Sequence, residues 1–279
     1  MKTYLSFVPA AVIGLFAAVP AMAQDTAPPK PVTVSGNVAI VSDYRLRGVS
    51  QSDEGFAIQG GITVAHESGF YVGTWGSNLA GWGAFGGSNM ELDLIGGFKK
   101  TMSGGATVDV GLTTYLYPSG LSKTTVFEPF AKLSGAVGPA SALLGVAYAP
   151  KQEALGNWST TLGGKPGAKD DNLYIWSDVS GAIPQTPVTL KAHLGYSSGN
   201  PGLGPNGTSM APSGKYWDWL AGADIAIPST PLTLGIAYVD TDITKAEEAR
   251  LNTAGAFANY RNGKSIASGK VVFSLTAAF

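Results

Sequence analysis

From residue 33 to the end of the chain, apolar and polar positions alternate in short runs that are separated by turn residues. Strict alternation over such a run is typical of a β-strand with one apolar and one polar face. The clearest run is the last one, in which Val271, Phe273, Leu275, Ala277 and Phe279 hold the odd positions. We expect this strand to close an outer-membrane barrel, where its apolar face meets lipid.

The same pattern predicts an all-β protein, a transmembrane antiparallel up-and-down β-barrel of about twelve strands. The predicted strands span roughly residues 33–45, 56–66, 69–79, 89–99, 105–117, 125–135, 140–149, 171–181, 187–197, 216–227, 231–240 and 268–279. The connections after even-numbered strands are short, and those after odd-numbered strands are mostly longer. Short periplasmic turns that alternate with long external loops are typical of outer-membrane barrels, with both termini in the periplasm.

The two faces of the predicted strands differ in chemistry. Aromatic residues at the outer strand ends are predicted to form a lipid-facing girdle: Tyr44, Phe56, Tyr148, Tyr196, Trp217 and Tyr238. The opposite face collects nearly every strand charge: Asp43, Arg45, Glu91, Asp93, Asp109, Glu128, Lys132, Asp178, Lys191, Asp218, Asp224 and Lys270. A lysine or arginine on the lipid face near the midplane costs roughly 2–4 kcal/mol, so a membrane barrel requires such segregation. A lipocalin-like soluble barrel would invert the faces, and alternation alone does not separate the two.

The first residues read as a leader. Lys2, an apolar core and the Ala21-Met22-Ala23 cleavage pattern predict a signal peptide over residues 1–23. Residues 24–32 then read as a flexible lead-in, and residues 33–279 as the barrel. We therefore expect export and location in the bacterial outer membrane.

Composition narrows the chemistry. The chain has 279 residues, 13% of them charged, a formal net charge of −1 and no cysteine. The absence of cysteine excludes disulfides, thiolate metal sites and cysteine nucleophiles, and the charge argues against a nucleic-acid partner. His193 is predicted to face inward near Asp178, with Ser197 too far away for a catalytic triad. No cluster has metal-ligand spacing, so we expect no metal, no cofactor and no enzymatic activity.

The inward charges near the outer end are the candidate pore-lining residues. They are Asp43, Arg45, Arg47, Glu91, Asp93, Glu128, Lys132, Asp218 and Lys270. One interpretation has Arg45, Arg47 and Lys270 as a basic wall across the lumen from an acidic wall. The other has mutual neutralisation by salt bridges, such as Arg45 with Asp43 or Asp53.

Part of the chain resembles a known family. The stretches SDYRLRGVSQ (42–51), QGG (59–61), YVGTWGSN (71–78) and ELD (91–93) resemble the N-terminal signature of the TorF-type family of outer-membrane porins. This resemblance implies an outer-membrane barrel and leaves the substrate open. A final strand that ends in Phe279 also resembles proteins handed to the barrel assembly machinery.

The function that we predict is passive diffusion of small hydrophilic solutes through a porin-like channel. The alternatives are a structural or adhesive barrel without a conducting pore and, third, an outer-membrane lipid hydrolase. The expected partners are outer-membrane lipids, the assembly machinery and the solutes.

Overall fold

The computed structural model describes residues 31–79, 87–207, 209–254 and 263–279. The predicted signal peptide, over residues 1–23, and the lead-in up to residue 30 lie outside the described residues. The predicted barrel domain begins within them, because the first strand starts at Val32.

Twelve antiparallel strands close into one barrel, as the sequence predicts. In chain order, the strands are β1 (Val32–Val41), β2 (Arg45–Leu46), β3 (Val49–Ser50), β4 (Ala57–His66), β5 (Phe70–Asn78), β6 (Met90–Thr101), β7 (Thr107–Leu116), β8 (Val126–Val137), β9 (Ala140–Gln152), β10 (Asp170–Ala182), β11 (Val188–Gly199), β12 (Lys215–Ala226), β13 (Leu232–Thr241) and β14 (Lys270–Ala278). β2 and β3 pair only with each other, and the other twelve strands form the barrel. A short helix, α1 (Lys245–Asn252), lies between β13 and β14 and begins with a capping box at Thr244. No helix in the described ranges is long and apolar enough to cross a membrane.

The barrel closes between its first and last strands. β1 pairs with β4 on one side and with β14 on the other, so that Ile40 lies opposite Leu275. Beyond the last paired residue, Gly36 and Phe279 exchange two backbone hydrogen bonds of 2.8 and 2.9 Å. The C-terminal residue therefore contributes backbone bonds to the seam as well as an exposed aromatic ring.

The outer face of the barrel is apolar and the inner face polar. Ile58, Leu190 and Phe273 on the outer face are each more than half exposed, whereas Glu91 and Asp218 inside are almost fully buried. This arrangement is the reverse of a lipocalin-like barrel and is that of an outer-membrane barrel, in which the apolar band faces lipid. Four predicted girdle residues are exposed on this outer face: Phe56, Tyr148, Trp217 and Tyr238.

The first predicted strand is too long, and this changes the lumen. β1 ends at Val41 instead of residue 45, after which the chain turns into the barrel and forms the β2–β3 hairpin. Its two turn residues, Arg47 and Gly48, have φ values of 49° and 80°, the positive values that a two-residue hairpin turn requires. Tyr44 is consequently buried inside and does not belong to the lipid-facing girdle.

Candidate functional site

Residues 42–55, which we call the inner hairpin, cross the lumen near the end that carries the long connections. In the ring of twelve strands, β9 lies opposite β1 and is flanked by β8 and β10. Arg47 at the tip of the inner hairpin contacts Glu128 of β8 and Tyr174 of β10. The inner hairpin therefore spans the barrel from the wall where it begins to the opposite wall.

Arg47 contacts two side chains of that opposite wall, Glu128 and Tyr174. Its Nη2 donates to both carboxylate oxygens of Glu128, at 2.7 and 2.8 Å, and Tyr115 donates its hydroxyl to the same carboxylate. The guanidinium also stacks over the Tyr174 ring, 4.0 Å from its centroid, as a cation–π contact. Burial is the largest single effect and lowers the pKa of Arg47. The Glu128 charge, the Tyr115 and Tyr174 hydroxyls and the hydrogen bond to Glu128 together outweigh burial and raise the pKa, so Arg47 stays cationic.

The base of the inner hairpin is held by a second set of polar contacts around Asp43. Arg45 donates to Asp43 at 2.7 Å, and the hydroxyls of Ser50 and Ser52 donate to the same carboxylate. Burial raises the pKa of Asp43, and the charge of Arg45 together with these hydrogen bonds opposes the rise. A further guanidinium nitrogen of Arg45 donates to the carbonyls of Gly48 and Ser268, which ties the hairpin to the connection before β14.

His193 lies on the next strand beyond Tyr174, in a group of acidic and phenolic side chains. Its ring nitrogens contact Asp178 at 2.6 Å and Asp218 at 3.1 Å, and the Tyr174 hydroxyl is 2.8 Å away. Its hydrogen-bond partners among the described residues are these three side chains, none of which is a nucleophile of the serine type. The group therefore extends the polar lining from the Arg47 contact along β10 to β12.

Charges also line the lumen towards the short turns. Lys191 forms a buried ion pair with Asp224 at 2.5 Å. On the other side, Asp109 accepts a hydrogen bond from the Tyr71 hydroxyl at 2.7 Å, and Lys132 lies 4.0 Å from it. Charged side chains thus follow the lumen over the length of the strands.

Glu91 and Asp93 on β6 differ from the other lumen carboxylates. Both are fully buried, and the Tyr44 hydroxyl donates to one oxygen of Glu91 at 2.9 Å. Within the part of the chain that the structure describes, the other Glu91 oxygen and both Asp93 oxygens have no hydrogen-bond partner. Buried carboxylates that lack donors are unusual in a folded protein.

All nine predicted pore-lining residues lie inside the barrel or on the inner hairpin. Lys132 and Lys270 are partly exposed. The other seven are buried: Asp43, Arg45, Arg47, Glu91, Asp93, Glu128 and Asp218. The opposed-wall arrangement is wrong in its geometry, because Arg47 touches Glu128 and Arg45 pairs with Asp43 instead of facing an acidic wall across a gap. Lys270 likewise pairs with Glu54 at 2.9 Å. Whether these residues line a conducting pore stays a prediction.

Sequence reasoning missed the inner hairpin and the residues that receive it, Tyr115 and Tyr174. A local signal for the hairpin was present, because Arg47-Gly48 between Leu46 and Val49 is a two-residue turn with apolar flanks. Nothing local in the sequence indicated Tyr174 as a partner of Arg47 or Tyr115 as a donor to Glu128. Among the described residues, no group of three or more acidic, histidine or cysteine side chains could hold a metal ion.

The fold and its charged lumen define a barrel of the outer-membrane type. A family model described as a bacterial protein of unknown function (Gcw_chp) matches residues 25–279, and the chain therefore belongs to the Gcw_chp family. The description of this family does not mention TorF, so the resemblance to the TorF-type family stays a prediction. A search of curated proteins finds no match.

Solved structures share the architecture at low sequence identity. The NanC porin superposes with a TM-score of 0.53 at 13% identity, over 88% of this chain and 99% of that one. The COG4313 outer membrane channel from Pseudomonas putida F1 gives a TM-score of 0.44 at 9% identity, over 92% and 99% of the two chains. The outer membrane channel DcaP of Acinetobacter baumannii gives 0.38 at 11% identity, over 89% and 97%. At 13% identity, the similarity to the NanC porin shows a shared fold and no more than that.

Proposed function

We propose that the protein is a porin-like channel of the bacterial outer membrane, through which small hydrophilic solutes diffuse passively. The observation that carries this proposal is the closed barrel with an apolar outer face and charged side chains along its lumen. A charged side chain that is buried in the lumen loses its hydration, which costs free energy unless an ion pair or lumen water compensates the loss. A barrel that served only as a membrane anchor could fill its interior with apolar side chains instead. A polar lumen is the arrangement expected where water and solutes pass.

The inner hairpin sets the width of the proposed pathway. Eight-stranded barrels are filled by side chains and those of sixteen or more strands leave a channel, so twelve strands fall between these cases. Here the hairpin occupies the lumen with buried polar residues, Asp43, Arg45, Ser50 and Ser52 among them. We therefore propose a narrow channel, in which solutes pass between the hairpin and the wall or pass when the hairpin moves.

The leading alternative is a structural barrel without a conducting pore. The same inner hairpin favours it, because Arg47 joins the hairpin to the opposite wall. A lipid hydrolase has less support, since the hydrogen-bond partners found for His193 are two carboxylates and a tyrosine. Location and assembly belong to the proposal as well: export by the predicted signal peptide, and insertion by an assembly machinery that recognises the strand ending in Phe279.

Liposome swelling tests the proposal. Vesicles that contain the folded protein should swell in isotonic solutions of small neutral sugars or amino acids and should swell less as solute size increases. The Arg47→Gln variant should admit larger solutes, because the hairpin loses its contact with Glu128. Lys123→Gln is the matched control, since its ion pair with Glu153 joins two connections between strands and is partly exposed to solvent. If neither wild type nor Arg47→Gln swells faster than empty vesicles, the non-conducting alternative replaces the channel.

A further inference from the structure

Some carboxylates around the inner hairpin form ion pairs with cationic side chains, and others do not. Each cation of this region already has a carboxylate partner in the described structure. The pairs are Arg45 with Asp43, Arg47 with Glu128 and Lys270 with Glu54, and the ring nitrogens of His193 contact Asp178 and Asp218. Glu91 and Asp93 take part in none of these pairs. Glu91 and Asp93 are thus two neighbouring acidic side chains outside the ion pairs of the inner hairpin.

Asp93 has an unusual environment even among these acids. Its side chain is fully buried, and neither of its oxygens has a hydrogen-bond partner among the described residues. Glu91 lies two residues before it on the same face of β6, with one oxygen equally without a partner. A buried carboxylate without hydrogen-bond donors is strongly unfavourable unless a cation or a proton compensates its charge. Either a proton or a bound cation can compensate Asp93 and Glu91, and the side chains around them decide which cation would fit.

The walls beside Asp93 are aromatic. In the sheet register, Asp93 lies directly opposite Trp75 on β5 and Tyr115 on β7, so the three side chains share the inner face. The Tyr44 ring meets Trp75 edge-on at 5.4 Å, and Tyr117 belongs to the same buried cluster. Aromatic faces attract cations, and they do so most effectively for organic ammonium groups that shed water easily.

We propose that Glu91 and Asp93, with the aromatic side chains around them, form a binding site for a small alkylammonium cation. This inference rests on the proposed channel, because it names the class of solute that the lumen would prefer. The two carboxylates would supply charge and hydrogen-bond acceptors, and the rings would cover the alkyl part of the ligand. Tyr44 belongs to the inner hairpin and donates to Glu91, so admission of the ligand is linked to movement of the hairpin.

A divalent metal ion is a poorer match for this site. Calcium prefers six to eight oxygen ligands, whereas the orphaned oxygens here number three, from two side chains. The absence of any metal-binding group of three acidic or histidine residues in the described ranges agrees with this. An aromatic wall also offers no ligands to a hard cation.

The test is ligand binding to the folded full-length protein in detergent micelles, by isothermal titration calorimetry. The probe is n-propylammonium chloride, compared with sodium chloride, calcium chloride and sodium propionate at equal ionic strength. We expect propylammonium to bind and propionate not to bind. Replacing Asp93 by Asn should weaken propylammonium binding by about tenfold or more, since a hydrogen bond to a charged group contributes about 1.5–3 kcal/mol and 1.4 kcal/mol is tenfold. Glu91→Gln should act in the same direction.

Asp171→Asn is the matched control, because Asp171 accepts a hydrogen bond from Tyr148 at the exposed outer end of β10. It should bind propylammonium as the wild type does. Asp93→Asn removes an uncompensated charge and keeps the side-chain shape, so the variant should fold, and heat-modifiable gel migration verifies this. Undiminished binding in both Asp93→Asn and Glu91→Gln would overturn the site. Tighter binding of calcium than of propylammonium would overturn the ligand class.

The absence of cation binding at neutral and at alkaline pH would also overturn the proposal and would leave protons as the compensation. The assay needs no transport, so it separates this inference from the channel. Binding in a protein that does not conduct would refute the channel and keep the site. Conductance without binding would refute the site and keep the channel.

Discussion

The ion pair between Arg47 and Glu128 joins the inner hairpin to the opposite wall, beside the cation–π contact of Arg47 with Tyr174, and Arg47→Gln is the change that tests it. Glutamine is neutral and shorter than arginine, so the variant loses both the positive charge and the two hydrogen bonds that Glu128 accepts from Arg47. The Glu128 carboxylate would keep its bond from Tyr115 but would lose its counter-ion in a buried position. We therefore expect the hairpin to leave the lumen more often while the twelve-stranded barrel stays closed.

The size of the effect follows from the burial of the pair, since both side chains are only 3% exposed. Removing one partner of a buried ion pair typically costs about 3–5 kcal/mol. Each 1.4 kcal/mol changes an equilibrium tenfold, so the population of hairpins released from the wall should rise by a factor of about 10² to 4 × 10³. Surface ion pairs contribute roughly 0–1 kcal/mol, so the exposed Lys123–Glu153 pair should alter this population by about fivefold at most.

Because the chain has no cysteine, a single engineered thiol reports this opening without background. Val49→Cys places the thiol on β3 of the inner hairpin, where the native side chain is buried. The rate of labelling by a water-soluble thiol reagent then follows the released population, provided that reclosing is faster than labelling. We expect faster labelling by the factor above when Arg47→Gln is added, and little change when Lys123→Gln is added.

Glu128→Gln supplies the reciprocal change, and the double variant completes a double-mutant cycle. The two single effects should not add, because either change alone already breaks the pair. If Arg47→Gln labels at the wild-type rate while its barrel remains folded, the pair does not hold the hairpin and the reasoning from its burial is refuted.

Two further predictions concern the barrel itself. Phe279→Asp should strongly impair assembly, because the Phe279 ring is exposed on the apolar face beside the seam at which the residue bonds to Gly36. Outer-membrane levels and heat-modifiable gel migration measure assembly. A wild-type level of folded protein would contradict this prediction. An epitope tag at Pro166, which is exposed in the long connection before β10, should be detected on intact cells. A tag at Ser229, which is exposed between β12 and β13, should be detected only after the outer membrane is permeabilised. The opposite labelling would invert the topology.

The strands were predictable because their signal is local. A barrel wall between an apolar and a polar surrounding imposes alternation on every strand, so the sequence places the ends of β4 to β14 within a few residues. The same pattern failed after Val41, where alternation continues but the chain leaves the wall. The reason is long-range, because Arg47 finds its partner Glu128 81 residues later in the chain.

The candidate site was predictable in composition and not in pairing. The alternating pattern correctly predicts that Glu91, Asp93 and Glu128 lie on the inner face, because successive residues of a strand point to opposite sides of the barrel wall. Which carboxylate receives an arginine depends on how the inner hairpin crosses the barrel, and that depends on the closure of all twelve strands. The orphaned oxygens of Asp93 could therefore be recognised only in three dimensions.

Single-channel recording in planar lipid bilayers tests the proposed channel most directly. Purified, folded wild-type protein should produce discrete conductance steps in symmetric potassium chloride. The Arg47→Gln variant should produce larger or more frequent steps, because its inner hairpin is released from Glu128, and Lys123→Gln should behave as the wild type does. If folded wild type and Arg47→Gln both insert and neither produces steps above the bare membrane, the lumen is closed to ions and the protein is not a channel.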